Sequence, residues 1–159
     1  MSNFILVGFK SSGKTTLGKK IAEQFHLHFI DTDALVAKNN REFYLQGVDA
    51  FREREKEVIG ALQDFQKCVI ATGGGAILDP ENVTLLKKMG TIIYLRVPKE
   101  TLKQRLLTVD PLPAILDPAS PEESFELMYL HRASLYEQAS DYAIENEYQL
   151  IKLIDKLIC

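Results

Sequence analysis

The feature that most constrains this chain is a glycine-rich stretch close to its N-terminus. The residues GFKSSGKT, from Gly8 to Thr15, match the pattern G-x-x-x-x-G-K-[ST] and directly follow the apolar run FILV. Glycines let the backbone of such a loop wrap inward, so that several N–H groups point at one phosphate and the next helix adds its positive N-terminal end. The stretch therefore predicts a strand, a phosphate-binding loop and a helix in succession. By itself, this stretch is compatible with a molecular switch, a motor protein, a hydrolase or a kinase.

Two side chains of this loop extend the prediction from a phosphate to a nucleotide with its metal. Lys14 supplies a mobile point charge for the β- and γ-phosphates, and Thr15 offers a hydroxyl to Mg²⁺. The alternative is a Gly/Ser-rich turn with a solvated lysine, but the position between strand and helix favours the nucleotide. Contacts to the nucleotide are predicted for Gly8, Ser11, Ser12, Gly13, Lys14, Thr15 and Thr16.

Short apolar runs alternate with longer amphipathic segments along the rest of the chain. This rhythm predicts βαβ units around a mostly parallel sheet with helices on both faces. An amphipathic helix is predicted over 48–65, and a closing helix is predicted for the C-terminal EYQLIKLIDKLI. Periodicity does not order the strands, which we expect near 3–8, 28–32, 67–72, 91–97 and 141–145.

Composition narrows the class of protein. The chain has 159 residues, of which 46% are hydrophobic and 26% charged, so a single globular domain over 1–159 is expected. A net charge of -3 makes duplex nucleic acid an improbable partner. Cys68 and Cys159 form neither a disulfide framework nor a metal spacing. Without a basic leader or an apolar run of about 18 residues, a cytoplasmic protein that does not enter membranes is expected.

Two carboxylates follow the second predicted strand. Asp31 and Asp33, in DTD, would lie at the carboxyl end of that strand, where open α/β sheets bind ligands. One carboxylate can hold Mg²⁺ through water while the other meets an acceptor hydroxyl. The alternative for Asp33 is that it caps the next helix.

Two further motifs have a functional and a plain structural interpretation. In FRERE, Arg52 and Glu55 share one helical face, so Glu55 can orient the guanidinium, although a solvated charged face is the better interpretation of this motif alone. In TGGGA, three glycines from Gly73 to Gly75 end the third predicted strand. They allow a ligand to approach the backbone closely, and a tight turn explains them almost as well.

Taken together, the motifs GxxxxGKT, DTD, FRxxE and GGG occur in the order and approximate spacing of the shikimate kinases, and the resemblance covers nearly the whole chain. HRASLYEQASDYAI near the end adds Arg132 and Tyr136, which match the family's RxxxY segment. The resemblance implies a P-loop kinase fold of three α/β/α layers, with a five-stranded parallel sheet in the order 2-3-1-4-5. It also implies transfer of the ATP γ-phosphoryl group to the 3-hydroxyl of shikimate, a step of chorismate and aromatic amino-acid biosynthesis.

The resemblance also implies a role for each matching residue. Lys14 and Asp33 would be catalytic, with Asp33 as the base for the attacking hydroxyl. Thr15 and Asp31 would organise Mg²⁺, Asp31 through water. Arg105 resembles the family's adenine-stacking arginine. The shikimate site would comprise Asp33, Arg52, Glu55, Gly73, Gly74, Gly75 and Arg132, with the two arginines on the carboxylate.

Two segments depart from the family pattern. The lid loop, predicted over 106–120, reads TVDPLPAIL where the family usually carries an arginine before its PLL, so Asp110 stands in the arginine's place. The lid is also shorter, and Arg105, Lys103 or another cation would have to supply the missing charge. The acceptor-binding region, predicted over 33–60, is shortened between Asp33 and Arg52, where Phe43 or Tyr44 would fill the lost wall.

Three interpretations therefore stay open at the level of sequence. The first is a shikimate kinase with a modified lid, acting as a monomer on ATP and shikimate. The second is a kinase of another hydroxylated acid such as gluconate, against which Asp33, Arg52, Arg132 and the three glycines argue. The third is a nucleotide-binding protein with impaired catalysis, which only Asp110 favours.

Overall fold

The computed structural model describes residues 2–39, 47–113 and 115–159. Five strands form its sheet, and each coincides with one of the predicted apolar runs. They are β1 (Asn3–Val7), β2 (His28–Asp31), β3 (Cys68–Ala71), β4 (Gly90–Leu95) and β5 (Tyr142–Ile144).

All neighbouring strands are parallel, in the order β2-β3-β1-β4-β5. Every residue of β1 is buried, as expected for the central strand of a sheet that helices cover on both faces. Ile5 illustrates the register, because it pairs with Ile70 of β3 on one side and with Ile92 of β4 on the other. The predicted fold class and strand order are confirmed.

Seven α-helices connect and flank the strands in the described part of the chain. They are α1 (Lys14–Gln24), α2 (Thr32–Asn39), α3 (Val48–Ala61), α4 (Pro80–Met89), α5 (Lys99–Thr108), α6 (Pro121–Ala139) and α7 (Glu147–Ile158).

Local sequence explains where several of these helices begin. The Asp79 side chain accepts a hydrogen bond from the Glu81 N–H at the start of α4, and Pro80 occupies the first turn. The Asn146 side chain caps α7 by accepting from the Gln149 N–H at 2.9 Å. Helix α6 begins at Pro121, and proline suits the first turn of a helix because its φ is already helical. The predicted C-terminal helix is thus confirmed, with Leu150 and Ile154 buried against the core.

Two boundaries differ from the sequence prediction. The helix expected over 48–65 ends at Ala61, because the chain turns there to enter β3. Helix α5 continues to Thr108, since its buried Leu106 keeps this last turn on the core, and the lid loop therefore begins at Val109 rather than at 106. Phe43 and Tyr44, proposed as wall residues, lie outside the described residues.

None of the helices in the described ranges has the length and apolar character needed to cross a membrane.

Candidate active site

The phosphate-binding loop connects the carboxyl end of β1 to the first turn of α1, as the sequence predicted. Gly13 has a φ of 95°, in the left-handed region that favours glycine, and the next residue begins the helix. Lys14 Nζ donates to the carbonyl oxygens of Gly8 and Phe9 at 2.7 Å and to Ser12 Oγ at 3.4 Å. These hydrogen bonds therefore hold the lysine side chain against the phosphate-binding loop.

The ammonium of Lys14 is the buried charge of this loop. Desolvation lowers the pKa of Lys14 to about 8, and the negative charges of Asp33 and Asp31 oppose that decrease. A lysine with this pKa remains mostly protonated at neutral pH, so it can still bind phosphate as a cation.

Asp31 and Thr15 meet at the edge of the sheet. Thr15 Oγ1 donates to Asp31 Oδ2 at 2.8 Å, which brings the two predicted metal-binding residues together. Asp31 Oδ1 also accepts from the Ala34 N–H at 3.2 Å, in the first turn of α2. A hydroxyl and a carboxylate beside a phosphate loop are the hard oxygen donors that Mg²⁺ takes when phosphates and water complete its shell, so these residues fit the metal.

Asp33 lies in the first turn of α2 and faces the cavity. The sequence allowed it to cap this helix, but that interaction is made by Asp31 through the Ala34 N–H. Desolvation and the nearby charge of Asp31 raise the pKa of Asp33, while the cations Lys14, Arg52 and Lys10 oppose the rise. The carboxylate is therefore a better proton acceptor than an isolated aspartate in water.

The three glycines after β3 form the wall against which these side chains pack. The Gly73 N–H donates to Thr32 Oγ1 at 3.0 Å, which ties the segment to the start of α2. A Cβ on Gly73 would overlap Asp33 Oδ1 and would lie 2.9 Å from Glu55 Oε2. A Cβ on Gly75 would overlap the guanidinium of Arg52. The glycines are needed for close approach of side chains as well as for a turn.

Arg52 and Glu55 form an ion pair on α3, with Arg52 Nη1 donating to Glu55 Oε1 at 2.8 Å. The Glu55 side chain is only 1% exposed, so the solvated face favoured by this motif alone is wrong. Burial raises the pKa of Glu55, although the hydrogen bond and the charge of Arg52 act in the opposite direction. Glu55 Oε2 has no hydrogen-bond partner among the described residues.

Arg132 and Tyr136, one turn apart on α6, approach the same wall from the other side. The Tyr136 hydroxyl donates to the Gly74 carbonyl and also interacts with Arg132. Its ring packs edge-on against Phe9 with centroids 4.8 Å apart. Burial raises the pKa of Tyr136 to about 12. The sequence suggested Tyr136 only as a family match, whereas the structure makes it the support of the glycine segment.

One cavity of about 740 Å³ joins the two halves of the site. From the lid loop it is lined by Pro113 and Ile115, and Asp110 is not among the lining residues. The cavity also has Lys10 and Phe51 in its wall, neither of which the sequence singled out for a role in binding. Most of the predicted site residues line it, namely Ser11, Gly13, Lys14, Thr15, Thr16, Asp31, Asp33, Arg52, Glu55, Gly74, Gly75 and Arg132.

The other four predicted residues are placed behind this lining. Gly8 and Ser12 bind the Lys14 ammonium, and Gly73 packs against Asp33. Arg105, near the end of α5, donates from Nη1 to the Ser11 carbonyl at 3.0 Å. It therefore contacts the outside of the phosphate loop, and its predicted stacking on adenine remains a prediction.

A phosphate loop and a cluster of carboxylates and arginines that share one cavity on this sheet define a P-loop kinase with a small anionic acceptor. The family profile described as "Shikimate kinase" matches residues 10–158. The chain is 34% identical to a shikimate kinase of Haemophilus influenzae (strain PittEE), over 96% of this chain and 87% of the relative. It is 42% identical to a shikimate kinase of Caldicellulosiruptor bescii over 72% and 70% of the two chains. The chain belongs to the shikimate kinase family.

Solved structures of this family have the same architecture. The shikimate kinase of Acinetobacter baumannii, in complex with shikimate, superposes with a TM-score of 0.87 at 32% identity and covers 99% of this chain and 93% of its own. The shikimate kinase of Bacteroides thetaiotaomicron has a TM-score of 0.81 at 25% identity, over 99% and 98% of the two chains. The resemblance on which the sequence interpretation depended is confirmed.

Proposed function

We propose that this enzyme transfers the γ-phosphoryl group of ATP to the 3-hydroxyl of shikimate. The observation that carries the proposal is the convergence of Asp33, Arg52 and Arg132 with the Lys14 loop on one cavity. Phosphoryl transfer depends on alignment of the reactants and stabilisation of charge more than on covalent catalysis. A phosphate-binding loop that faces a positioned acceptor is therefore sufficient for the reaction.

The acceptor is held by its carboxylate and activated at its hydroxyl. Arg52 and Arg132 provide guanidinium groups that match a carboxylate in shape and charge. Glu55 keeps Arg52 in place through the 2.8 Å hydrogen bond, and Gly74 and Gly75 leave room for the ring hydroxyls beside the backbone. An Asp33 carboxylate oxygen accepts the proton of the attacking 3-hydroxyl, a role that its raised pKa supports.

The donor is held by the phosphate loop. Backbone N–H groups from Ser11 to Thr16 and the N-terminal end of α1 bind the phosphates of ATP, and Lys14 adds a positive charge to them. Thr15 and Asp31 would hold Mg²⁺, with Asp31 acting through water. When bound, this ion neutralises negative charge on the phosphates. Arg105 would contact the adenine from the outer side of the loop.

Other properties belong to the same proposal. We expect one kinase domain over 1–159, with an acceptor-binding region over 33–60 and a lid loop over 109–120, that acts as a cytoplasmic monomer. The net charge of -3 supports small-molecule substrates over nucleic acid. Sedimentation at several protein concentrations tests the monomer, since a mass that rises with concentration would contradict it.

A coupled assay of ADP release tests the function directly. Purified protein with Mg-ATP is supplied with shikimate, with gluconate or with no acceptor. Turnover that depends on shikimate supports the proposal, turnover that depends on gluconate identifies a different hydroxy-acid kinase, and ATP binding without turnover indicates a nucleotide-binding protein that lacks catalysis.

A paired substitution then tests the acceptor site. Arg132→Ala should chiefly raise the KM for shikimate, while the KM for ATP stays nearly constant. Arg96→Ala is the matched control, because Arg96 pairs with Glu137 at 2.6 Å and lies outside the cavity. An unchanged KM for shikimate in Arg132→Ala would remove Arg132 from the carboxylate clamp.

A further inference from the structure

Lys10 lies between the donor and acceptor halves of the cavity. It is the second residue after Gly8 in the phosphate loop, at a position that the loop pattern leaves free. Lys10 lines the cavity, and its backbone nitrogen is 3.2 Å from where a Cβ on Gly74 would stand. Lys10 therefore connects the loop that holds ATP with the glycine segment that faces the acceptor.

The charge of Lys10 is uncompensated in the described part of the chain. It takes part in none of the ion pairs or side-chain hydrogen bonds found there. The charge nevertheless acts on the site. Desolvation is the largest influence on Asp33 and raises its pKa, whereas Lys10 is among the cations that lower it. An exposed cation that faces the reacting groups is thus available to bind an anion.

The loop above the cavity cannot provide such a cation. Residues 109–120 read VDPLPAILDPAS, with two aspartates and neither lysine nor arginine. Pro113 and Ile115, which line the cavity from this loop, are apolar. Negative charge on the transferred phosphoryl group must be stabilised, so the positive charge has to come from the other walls.

The remaining cations near the cavity have other partners. Arg52 is bound to Glu55, and Arg132 interacts with Tyr136. Arg105 donates to the Ser11 carbonyl, and Lys103 Nζ lies 3.5 Å from Glu126 Oε1. Among the cations that the structure describes, these contacts leave Lys10 as the candidate that can reach a phosphoryl group without breaking a bond inside the protein.

We propose that Lys10 is a catalytic residue whose ammonium binds the phosphoryl group as it passes from ATP to the acceptor. This role rests on the proposed kinase function. In the step itself, the bond between the γ-phosphorus and the β,γ-bridging oxygen breaks, and its electrons leave with ADP. A bond forms between that phosphorus and the acceptor oxygen, whose proton goes to Asp33. Lys10 takes no part in this proton transfer and contributes positive charge alone.

The first test separates rate from substrate binding. Lys10→Met preserves most of the side-chain volume and removes the charge, and it should lower kcat by about 100-fold, as loss of one transition-state contact does. The KM values for ATP and shikimate should stay within about threefold, because the contact is made in the transition state. Lys10→Arg should restore most of kcat. The matched control is Lys19→Met, because Lys19 is an exposed lysine of α1 outside the cavity.

The second test measures binding to a mimic of the transferred group. Aluminium fluoride with Mg-ADP, with and without shikimate, is titrated calorimetrically into the unsubstituted protein and into Lys10→Met. If Lys10 binds the transferred group, the fluoride complex should bind to Lys10→Met at least about tenfold more weakly than to the unsubstituted protein. The affinity for Mg-ADP alone should be the same in both proteins. Unfolding temperatures of both proteins confirm that the variant is folded.

The outcomes are distinct. An unchanged kcat in Lys10→Met overturns the proposal, as does a rise in the KM for shikimate alone, which would make Lys10 a substrate-holding residue. Equal loss of activity in Lys10→Met and Lys10→Arg also overturns it, because a charge contact must be rescued by arginine. If the unsubstituted protein does not turn over shikimate, the proposed function fails, and the fluoride measurement without shikimate decides the role of Lys10 independently.

Discussion

The backbone of Gly75 lies so close to the guanidinium of Arg52 that a Cβ on the glycine would overlap it. Arg52 is in turn fixed by its 2.8 Å hydrogen bond to Glu55. The position of the arginine is therefore set from two sides, by a carboxylate on its own helix and by a glycine after β3. This relationship links the glycine motif to acceptor binding.

Substitution of Gly75 should displace Arg52. In Gly75→Ala we expect the KM for shikimate to rise about 10-fold or more, since a charge-assisted hydrogen bond contributes about 1.5–3 kcal/mol. The KM for ATP should change little. Gly60→Ala is the control, because a Cβ on Gly60 meets nothing within 4 Å and lies in helix α3. Steady-state kinetics measure the KM for shikimate in both variants. An equal KM in the two would contradict the steric role of Gly75.

The pair formed by Thr15 and Asp31 predicts a specific metal dependence. Asp31→Asn keeps the size of the side chain and its acceptor oxygen for Thr15 but removes the negative charge that attracts a cation. The concentration of Mg²⁺ needed for half-maximal activity should rise about 10-fold or more, as for other residues that orient a metal. Asp49→Asn, an exposed change in the first turn of α3, is the control. Identical Mg²⁺ titrations of the two variants would exclude Asp31 from the metal site.

Buried Glu55 predicts a pH-dependent difference in stability. Its pKa is raised above the ordinary value of 4.5 because burial disfavours the charged form. The stability that this group contributes is therefore fully present below pH 4.5 and is lost as pH rises through the raised pKa of the folded state. Glu55→Gln carries no such titration and retains an oxygen that accepts from Arg52.

Compared with Glu55→Gln, the unsubstituted protein should thus lose free energy of unfolding between about pH 5 and about pH 7.5. Urea unfolding at both pH values measures the difference. Glu57→Gln is the control, since Glu57 is exposed on the same helix and pairs with Arg54 with the same spacing. A free energy of unfolding that rises with pH in the unsubstituted protein relative to Glu55→Gln would contradict the assignment of a raised pKa.

The fold could be predicted from the sequence because its five strands are short apolar runs between helical patterns. The order of the strands came from the family resemblance alone, since hydrophobic periodicity does not say which strands are neighbours. Helical periodicity places the ends of helices less accurately than their cores. The predicted helix over 48–65 ends at Ala61, because the turn into β3 competes with the helical pattern of the residues that follow.

Within the site, the sequence found the residues that belong to motifs and missed those that depend on long-range packing. The sequence missed the burial of Glu55 because the charges of FRERE suggested a solvated face, although Glu55 lies four residues from both Phe51 and Ile59 on the apolar face of its helix. The bond between Tyr136 and Gly74 joins residues 62 positions apart, and no local pattern records it. Lys10 was passed over because the phosphate-loop pattern accepts any residue there. A role for Lys10 is indicated only by its position in the cavity of the folded protein.

Asp110 provides a last prediction, because the structure places it away from the reacting groups. It is exposed and takes part in no ion pair or side-chain hydrogen bond within the described residues, while Pro113 and Ile115 of the same loop line the cavity. Asp110→Arg should therefore leave kcat unchanged or raise it, by up to about tenfold if the new guanidinium reaches the phosphates when the loop closes.

The comparison with Asp110→Asn separates the two effects of this substitution. The asparagine removes a negative charge that repels phosphate, whereas the arginine also adds a positive one. A gain in kcat shared by both variants would assign the effect to repulsion, and a gain in the arginine variant alone would assign it to a new contact with phosphate. A fall in kcat of more than about tenfold in both would show that the Asp110 carboxylate has a role of its own, against the position found here.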